Sequence, residues 1–198
     1  MRRLLLSAAI ASGIALMPAA QAEDFNPADA ADLDRISAAL NAVQTMKADF
    51  TQIDPSGDVE QGQLYIEKPG KMRFQYQPPS PLTVVSDGLD VAVFNSRLNT
   101  ADRYPLSTTP LNILLSNHTN LQRNKNIVGL EHQPGLLVVK ARSNDRRMTG
   151  NITITFSDPG LELRQWTVTD AQGLATTVSI RNVQTGVTLQ PELFLTHG

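Results

Sequence analysis

Residues 68–79 read KPGKMRFQYQPP, and their pattern is the strongest indication of the fold. Met72, Phe74 and Tyr76 alternate in it with charged and amide side chains. Because successive side chains of a β-strand point to opposite faces, the three large apolar groups share one face and the polar groups share the other. The stretch offers no catalytic nucleophile and no metal ligand. We therefore interpret its apolar face as the wall of an apolar interior, and this wall as the functional surface of the protein.

The same alternation continues on both sides of this stretch, in short runs separated by Pro-Gly, Asp-Gly and Gln-Gly turn signals. Strands are predicted near residues 47–54, 60–68, 71–77, 82–86, 90–95, 101–104, 127–133, 136–142, 150–157, 162–170 and 174–184. The run 162–170 is the least regular, since Leu163 and Trp166 fall on opposite faces. Successive hairpins of this kind predict a barrel or a sharply curled antiparallel sheet around an apolar interior.

Two helices are predicted beside the strands. Asn26 is a suitable N-cap and Pro27 a suitable first residue for a helix whose apolar residues recur at three- and four-residue spacing. A short second helix is predicted over residues 110–115, with Thr109 as its cap. The apolar stripe of the first helix must lie on something, and the curled sheet provides that surface.

Residues 1–22 have the pattern of a secretory signal peptide: Arg2 and Arg3, an apolar run, and a small-residue cleavage site ending at Ala22. Residues 23–198 are then expected to form one exported, soluble domain. The chain has no cysteine, so a hydrophobic core has to hold this domain without disulfides. The whole chain has a formal net charge of −2, and losing the two leader arginines makes it more acidic, which disfavours nucleic acid as a partner.

The sequence carries no motif for catalysis or metal binding. Its three histidines, His118, His132 and His197, have no neighbouring ligand at metal-site spacing, and ordinary surface positions are expected for them. Nucleophile elbows and phosphate-binding loops are also missing. Distant residues can still converge in a fold, so an active site is unsupported without being excluded. An apolar interior of this kind could instead store a lipid chain, which gains about 0.8 kcal/mol for each methylene removed from water.

Four segments of the chain resemble motifs of one family, in the family's order and behind a signal peptide. Residues 46–52 (MKADFTQ) are similar to its first strand, and residues 62–74 (GQLYIEKPGKMRF) to its first hairpin. Residues 85–88 (VSDG) and 109–115 (TPLNILL) match a turn and a short helix. The family is that of the periplasmic outer-membrane lipoprotein carrier proteins, of LolA type, and the resemblance covers nearly the whole mature chain.

This resemblance implies an unclosed antiparallel β-barrel covered by a helical lid. It implies a monomeric periplasmic carrier, which takes acylated lipoproteins from an ABC-type releasing complex of the inner membrane and delivers them to a receptor at the outer membrane. No cofactor or nucleotide is implied for the carrier itself. Stepwise transfer of this kind requires the carrier to bind its cargo with moderate affinity, because each acceptor has to offer the acyl chains a slightly better apolar site.

The resemblance also assigns candidate site residues. The cavity wall is expected to consist of Phe50, Leu64, Ile66, Met72, Phe74, Tyr76, Ile152, Ile154 and Phe156. The lid is expected to present Leu33, Ile36 and Leu40 from the first helix and Leu111, Ile113, Leu114 and Leu115 from the second. Ordinary core packing is the alternative for each of these residues taken singly.

Lys68 stands where well-studied branches of the family have an arginine that hydrogen-bonds lid carbonyls and holds the closed state. A lysine ammonium lacks the planar guanidinium group with which an arginine can make two parallel hydrogen bonds. Lys68 is therefore expected to be a lid latch, but a weaker one than the arginine. The alternative is a lysine whose charged end reaches solvent at a strand end, and both interpretations stay open. Arg73 alternates with Met72 and Phe74 along its strand, so its side chain is expected on the outer face of the sheet. An acidic partner could bind it there.

Two other classes of function remain. The first is a lipid- or glycolipid-binding envelope sensor domain that does not transport its ligand, since related half-barrels occur in envelope stress regulators. The second is a hydrolase, which would need a nucleophile and a base brought together from distant positions. A lipoprotein carrier is the preferred interpretation.

Overall fold

The computed structural model describes residues 25–142 and 150–196, so the predicted leader at 1–22 lies outside the described residues. The described chain begins with helix α1, Pro27–Ala42, where the sequence predicts a helix. Asn26 Oδ1 accepts hydrogen bonds from the backbone N–H groups of Ala28 (3.0 Å) and Asp29 (2.9 Å). These bonds satisfy donors that a helix start leaves without partners. The buried face of α1 consists of Leu33, Ile36, Ser37 and Leu40.

The strands follow the alternating runs of the sequence closely. They are β1 (Thr45–Ile53), β2 (Val59–Glu67), β3 (Lys71–Tyr76), β4 (Leu82–Asp87), β5 (Asp90–Asn95), β6 (Thr100–Pro105), β7 (Ile127–Gln133), β8 (Leu136–Arg142), β9 (Asn151–Ser157), β10 (Leu163–Thr169) and β11 (Ala175–Thr185). Each predicted run overlaps one of them, and the ends differ by at most two residues. The period-two pattern was therefore sufficient to locate the strands.

All strands belong to one antiparallel sheet in the order β6-β5-β4-β3-β2-β1-β11-β10-β9-β8-β7. The first and last strands of the chain pair with each other at its middle, and β6 and β7 are its two edges. Side chains of the inner face and of α1 join one buried cluster. The predicted fold class, an unclosed antiparallel β-barrel covered by helices, is confirmed.

Aromatic side chains fill one part of this interior. The ring centroid of Phe50 lies 4.9 Å from that of Phe74 and 5.0 Å from that of Tyr76, both in edge-to-face geometry. Trp166 contacts Phe74 from β10, with centroids 6.2 Å apart. The Tyr76 hydroxyl donates to Gln52 Oε1 at 2.9 Å, and burial raises the pKa of Tyr76 to about 12. This part of the half-barrel is closed by its own side chains.

The irregular run on β10 has a structural cause. Leu163 pairs with Phe156 and Trp166 pairs with Ile154, with a register shift between Leu163 and Gln165. A β-bulge of this kind inserts one extra residue and reverses the facing of the residues after it. Leu163 and Trp166 therefore both face inward, and Trp166 is only 2% exposed. The expectation that these two residues lie on opposite faces was wrong.

The predicted cap of the second helix is also corrected. A short 3-10 turn, Leu106–Thr108, precedes helix α2, Asn112–Leu115, whose N-cap position is occupied by Leu111. Thr109 Oγ1 donates to the Leu106 carbonyl at 2.9 Å. Its hydroxyl therefore closes the preceding turn and makes no capping bond to α2.

The end of the described chain crosses the outer face of the sheet. A 3-10 turn, Pro191–Phe194, lies against β3 and β4. Arg73 lies on this outer face and donates from Nη1 to the Leu193 carbonyl at 3.2 Å. Burial by this crossing lowers the pKa of Arg73. The arginine thus meets a backbone carbonyl of the tail where the sequence suggested an acidic partner.

Candidate functional site: an apolar cavity beneath the helices

A cavity of about 420 Å³ lies between the C-terminal half of α1 and the sheet. Small-molecule sites typically have volumes of about 300–1,000 Å³, so this cavity is at the small end of that range. Its apolar lining comes from Ala39, Leu40, Val43, Met46, Ile66, Leu114, Phe156, Leu161 and Leu163. Helix α1, helix α2, β1, β2 and the β9–β10 turn all contribute. The space is an apolar chamber roofed by the two helices.

The predicted wall residues divide between this cavity and the filled interior. All nine belong to the buried cluster. Ile66 and Phe156 line the cavity. Phe50, Phe74 and Tyr76 form the aromatic contacts described above. Met46 and Phe50 are four residues apart on β1, roughly 13 Å along a strand, so the cavity and the aromatic contacts occupy different levels of the same interior.

The predicted lid residues lie on the inner sides of the two helices. Leu33, Ile36, Leu40, Leu114 and Leu115 are buried, and Leu111 and Ile113 are partly buried against the same cluster. Leu40 and Leu114 line the cavity. Both helices thus contribute to the roof.

Hydrogen bonds join α1 to the segment that carries α2. Asn41 Nδ2 donates to the Thr119 carbonyl at 2.9 Å, and the Thr119 N–H donates to Asn41 Oδ1 at 2.8 Å. Buried Ser37 Oγ accepts from the Leu121 N–H at 2.9 Å. Sequence reasoning missed these residues, although Ser37 stands out as a polar side chain on the apolar stripe of α1. Because of these bonds, the two helices form a single connected cover.

Lys68 connects the sheet to the C-terminal end of α1. Its Nζ donates to the Leu40 carbonyl at 2.6 Å, and its backbone N–H donates to the Gln44 carbonyl at 2.8 Å. A cation is favoured at this end of a helix, where carbonyl groups lack intrahelical partners. Lys68 is only 9% exposed, and burial lowers its pKa. Lys68 therefore faces the interior and contacts a carbonyl of α1.

The hairpin that carries Lys68 also contacts α2. The Gly70 N–H donates to the Leu115 carbonyl at 2.9 Å, and Ser86 Oγ donates to the Gly70 carbonyl at 2.7 Å. Gly70 has φ +76, and an added Cβ would lie 2.6 Å from Gly88 Cα. The Lys-Pro-Gly hairpin therefore holds the ends of both lid helices.

The mouth of the cavity is polar. Glu162 and Arg164 form a salt bridge of 2.8 Å beside it. On the facing side, Arg181, Asn182 and Thr185 of β11 line the opening. The local backbone is irregular here, because Leu161 and Asn182 both have positive φ. Sequence reasoning missed these residues, since strand alternation does not indicate where a strand ends beside an opening.

The N-terminal half of α1 is held to the edge of the sheet by charged groups. His132 Nε2 lies 2.9 Å from Asp32 Oδ2, and His132 Nδ1 lies 3.7 Å from Asp29 Oδ1. Arg35 bonds Asp32 at 2.6 Å and reaches Asp158 of the β9–β10 turn at 3.5 Å. His132 is a surface residue, as expected, but it also joins β7 to α1.

We expect the His132 contact to make stability depend on pH. The hydrogen bond to Asp32 raises the pKa of His132 above its ordinary 6.5, and the same bond lowers the pKa of Asp32 below 3.8. The stabilisation by protonated His132 is thus complete below pH 6.5 and is lost as the pH rises through the raised pKa. The stabilisation by ionised Asp32 is complete above pH 3.8 and is lost as the pH falls through the lowered pKa of Asp32.

The measurement is the free energy of denaturant unfolding across this pH range for the wild-type protein and for His132→Gln. At low pH the wild-type protein is expected to have the larger free energy of unfolding. This difference from the variant should disappear as the pH rises and His132 loses its proton. His118→Gln is the control, because His118 has no hydrogen bond or ion pair to α1 in the part of the chain that the structure describes. Equal pH profiles for the wild-type protein and His132→Gln would contradict the assignment.

Within the two described ranges, no group of three or more His, Cys, Asp or Glu side chains is placed to hold a metal ion. In the same ranges, no helix combines the length and apolar character that a membrane span needs. The principal feature of the site is an apolar space with a polar mouth.

A sequence profile of the family described as outer membrane lipoprotein carrier protein LolA matches residues 41–197. The matched range includes every strand of the sheet. The chain belongs to the outer membrane lipoprotein carrier family. The resemblance drawn from four sequence motifs is thereby confirmed.

Relatives in the lipoprotein carrier family are similar over most of their length. An outer-membrane lipoprotein carrier protein of Methylococcus capsulatus is 31% identical over 169 residues, which covers 81% of this chain and 80% of the relative. One of Chromohalobacter salexigens is 25% identical over 193 residues, covering 93% and 88%. The crystal structure of a LolA superfamily protein of Nitrosomonas europaea aligns with a TM-score of 0.44 at 11% identity, over 83% of this chain and 97% of that one.

Proposed function

We propose that this protein is a periplasmic carrier of acylated lipoproteins. In this proposal it accepts lipoproteins from an ABC-type releasing complex at the inner membrane and transfers them to a receptor at the outer membrane, without catalysing a reaction. The supporting observation is the apolar cavity of about 420 Å³ roofed by two helices. Family membership and the carrier names of the relatives support the same class of cargo.

The physical basis of carriage is the removal of acyl chains from water. Each methylene buried in an apolar site contributes about 0.8 kcal/mol, so one chain can offset the disruption of several hydrogen bonds of the cover. The bonds that hold the cavity-facing part of the cover join α1, the segment that carries α2 and the Lys-Pro-Gly hairpin. In this proposal the nine wall residues line the enlarged space once the two helices move away from the sheet.

The proposal is tested by depleting the protein from its host and fractionating the two membranes. Lipoproteins destined for the outer membrane are expected to accumulate at the inner membrane. Mass spectrometry of acyl species that copurify with the protein gives an independent readout. Acyl binding without any change in lipoprotein distribution would instead support the sensor alternative, and the absence of bound acyl species together with a normal distribution would exclude carriage.

We propose that Lys68 is the lid latch. The bond from its Nζ to the Leu40 carbonyl favours the closed state, in which acyl chains are excluded. Lys68→Met removes this bond, and apparent affinity rises when the binding-competent state becomes more populated. We expect about tenfold tighter binding of an acylated peptide, corresponding to one hydrogen bond from a charged donor, together with slower release to an acceptor.

The matched control for the latch is Lys71→Met. Lys71 lies three residues away, but its Nζ pairs with Glu67 at 2.6 Å, and it makes no hydrogen bond to the lid in the described chain. Lys71→Met is expected to keep wild-type affinity. A Lys68→Met protein that binds and releases the acylated peptide like the wild type would rule out the latch.

A further inference from the structure

Strand β11 extends past the end of its pairing with β10. Residues 175–179 of β11 pair with β10, whereas the β1 pairing continues to Thr185, with a register shift at Asn182 and Val183. On the β10 side of residues 181–185, no backbone hydrogen bond to another element is present in the described chain. We call residues 181–185 the free edge. An unpaired row of N–H and C=O groups can accept a further strand.

The free edge has the exposure and hydrogen-bond direction that strand addition needs. All its residues are exposed, including Val183 at 42%. The Gly186 N–H donates to the Thr45 carbonyl at 3.1 Å, and backbone groups alternate in direction along an antiparallel strand. The Thr185 N–H therefore points away from β1, toward the open side.

The free edge also borders the cavity. The opening is lined by Arg181, Asn182, Val183 and Thr185, together with Glu162 of the β9–β10 turn and Arg164 of β10. A molecule whose apolar part lies in the cavity and whose polar part leaves through this opening passes directly along the free edge. The apolar chamber and the unpaired backbone thus form one continuous surface.

We infer that the free edge binds the polypeptide segment that follows the acylated residue of the cargo, by adding it as a short strand beside β11. This inference rests on the proposed function, because it requires the acyl chains to occupy the cavity. The backbone groups of an extended peptide match the unpaired groups of the edge. A lipid headgroup lacks the alternating donors and acceptors that would match them. Val183 offers the added strand an apolar side-chain contact.

The experiment measures the affinity of the full mature protein for four ligands by calorimetry. They are a palmitoylated amino-acid amide, a palmitoylated short peptide, and two versions of that peptide N-methylated at alternate residues. Two additional backbone hydrogen bonds are expected to make the peptide ligand about tenfold tighter than the amino-acid amide. Only one of the two N-methylated versions is expected to lose this gain, because alternate N–H groups of an added strand face away from the edge. Slower hydrogen exchange at the Thr185 amide with the peptide ligand is the structural readout.

The outcomes separate this inference from the proposed function. If no palmitoylated ligand binds, the proposed function fails and the inference fails with it. If the amide and the peptide bind equally, or both N-methylated versions bind like the parent peptide, strand addition is overturned while acyl binding stands. Protection of the Thr185 amide by phosphatidylglycerol vesicles, and not by the peptide, would assign the edge to a membrane surface and would also overturn the inference.

Discussion

Replacing Gly62 with alanine is expected to cause a large loss of stability. Gly62 of β2 lies opposite Phe50 of β1. A Cβ at Gly62 would lie 2.1 Å from the Gln75 carbonyl oxygen and 2.6 Å from Phe50 Cε1. Backbone of β3 and a packed aromatic ring cannot both move aside, so we expect a loss of about 3 kcal/mol in the free energy of unfolding. Denaturant unfolding at fixed pH measures this loss.

The control for this substitution is Gly129→Ala in β7. A Cβ at Gly129 meets no atom within 4 Å, so its free energy of unfolding should stay within about 0.5 kcal/mol of the wild type. Equal effects of the two substitutions would show that the close contacts around Gly62 relax easily. The aromatic packing of Phe50, Phe74 and Tyr76 could then not be regarded as rigid.

Filling the cavity is expected to give the largest loss of ligand binding. Ala39 lines the cavity from α1, and Ala39→Trp would place an indole ring in that space. Each methylene excluded from the cavity forfeits about 0.8 kcal/mol. The exclusion of about four methylenes would lower the affinity for a palmitoylated ligand by about two orders of magnitude. Calorimetric titration of purified, delipidated protein measures this change.

Ala38→Trp is the matched control for the filled cavity. Ala38 is the neighbouring residue of the same helix but is exposed to solvent, so the same added ring should leave the affinity within about a factor of two. Thermal unfolding of both variants separates a filled cavity from a damaged fold. Wild-type affinity in a folded Ala39→Trp protein would place the acyl site elsewhere.

Most of the fold follows from local sequence patterns. Met72, Phe74 and Tyr76 face inward because a strand alternates its side chains whatever lies around it. Asn26 caps α1 because a polar side chain before the first turn satisfies free N–H groups of the helix. Thr109 shows the limit of this reasoning, since its hydroxyl could serve either the preceding turn or the following helix. The structure shows that the hydroxyl of Thr109 binds the Leu106 carbonyl of the preceding turn.

The site was predicted less completely than the fold. For Lys68 the sequence left two positions open, one facing the apolar interior and one reaching solvent, and the structure has the inward one. Its bond to the Leu40 carbonyl depends on where α1 ends above the sheet. Ser37 and Asn41 were missed because their partners lie far along the chain, in the segment after α2. His132 was recognised as a surface residue, but its pairing with Asp32 arises only when α1 packs beside β7.

Local sequence patterns were enough to predict the strands, the first helix, the apolar interior and the family to which the chain belongs. These properties depend on side chains a few residues apart, or on short motifs that can be recognised one at a time. The packing of distant elements sets which part of the interior stays open beneath α1 and which part is filled by Phe50, Phe74, Tyr76 and Trp166. The same packing leaves the end of β11 extending past β10 at the mouth of the cavity. Empty volume and unpaired edges are properties of how distant elements fit together, and no local pattern encodes them.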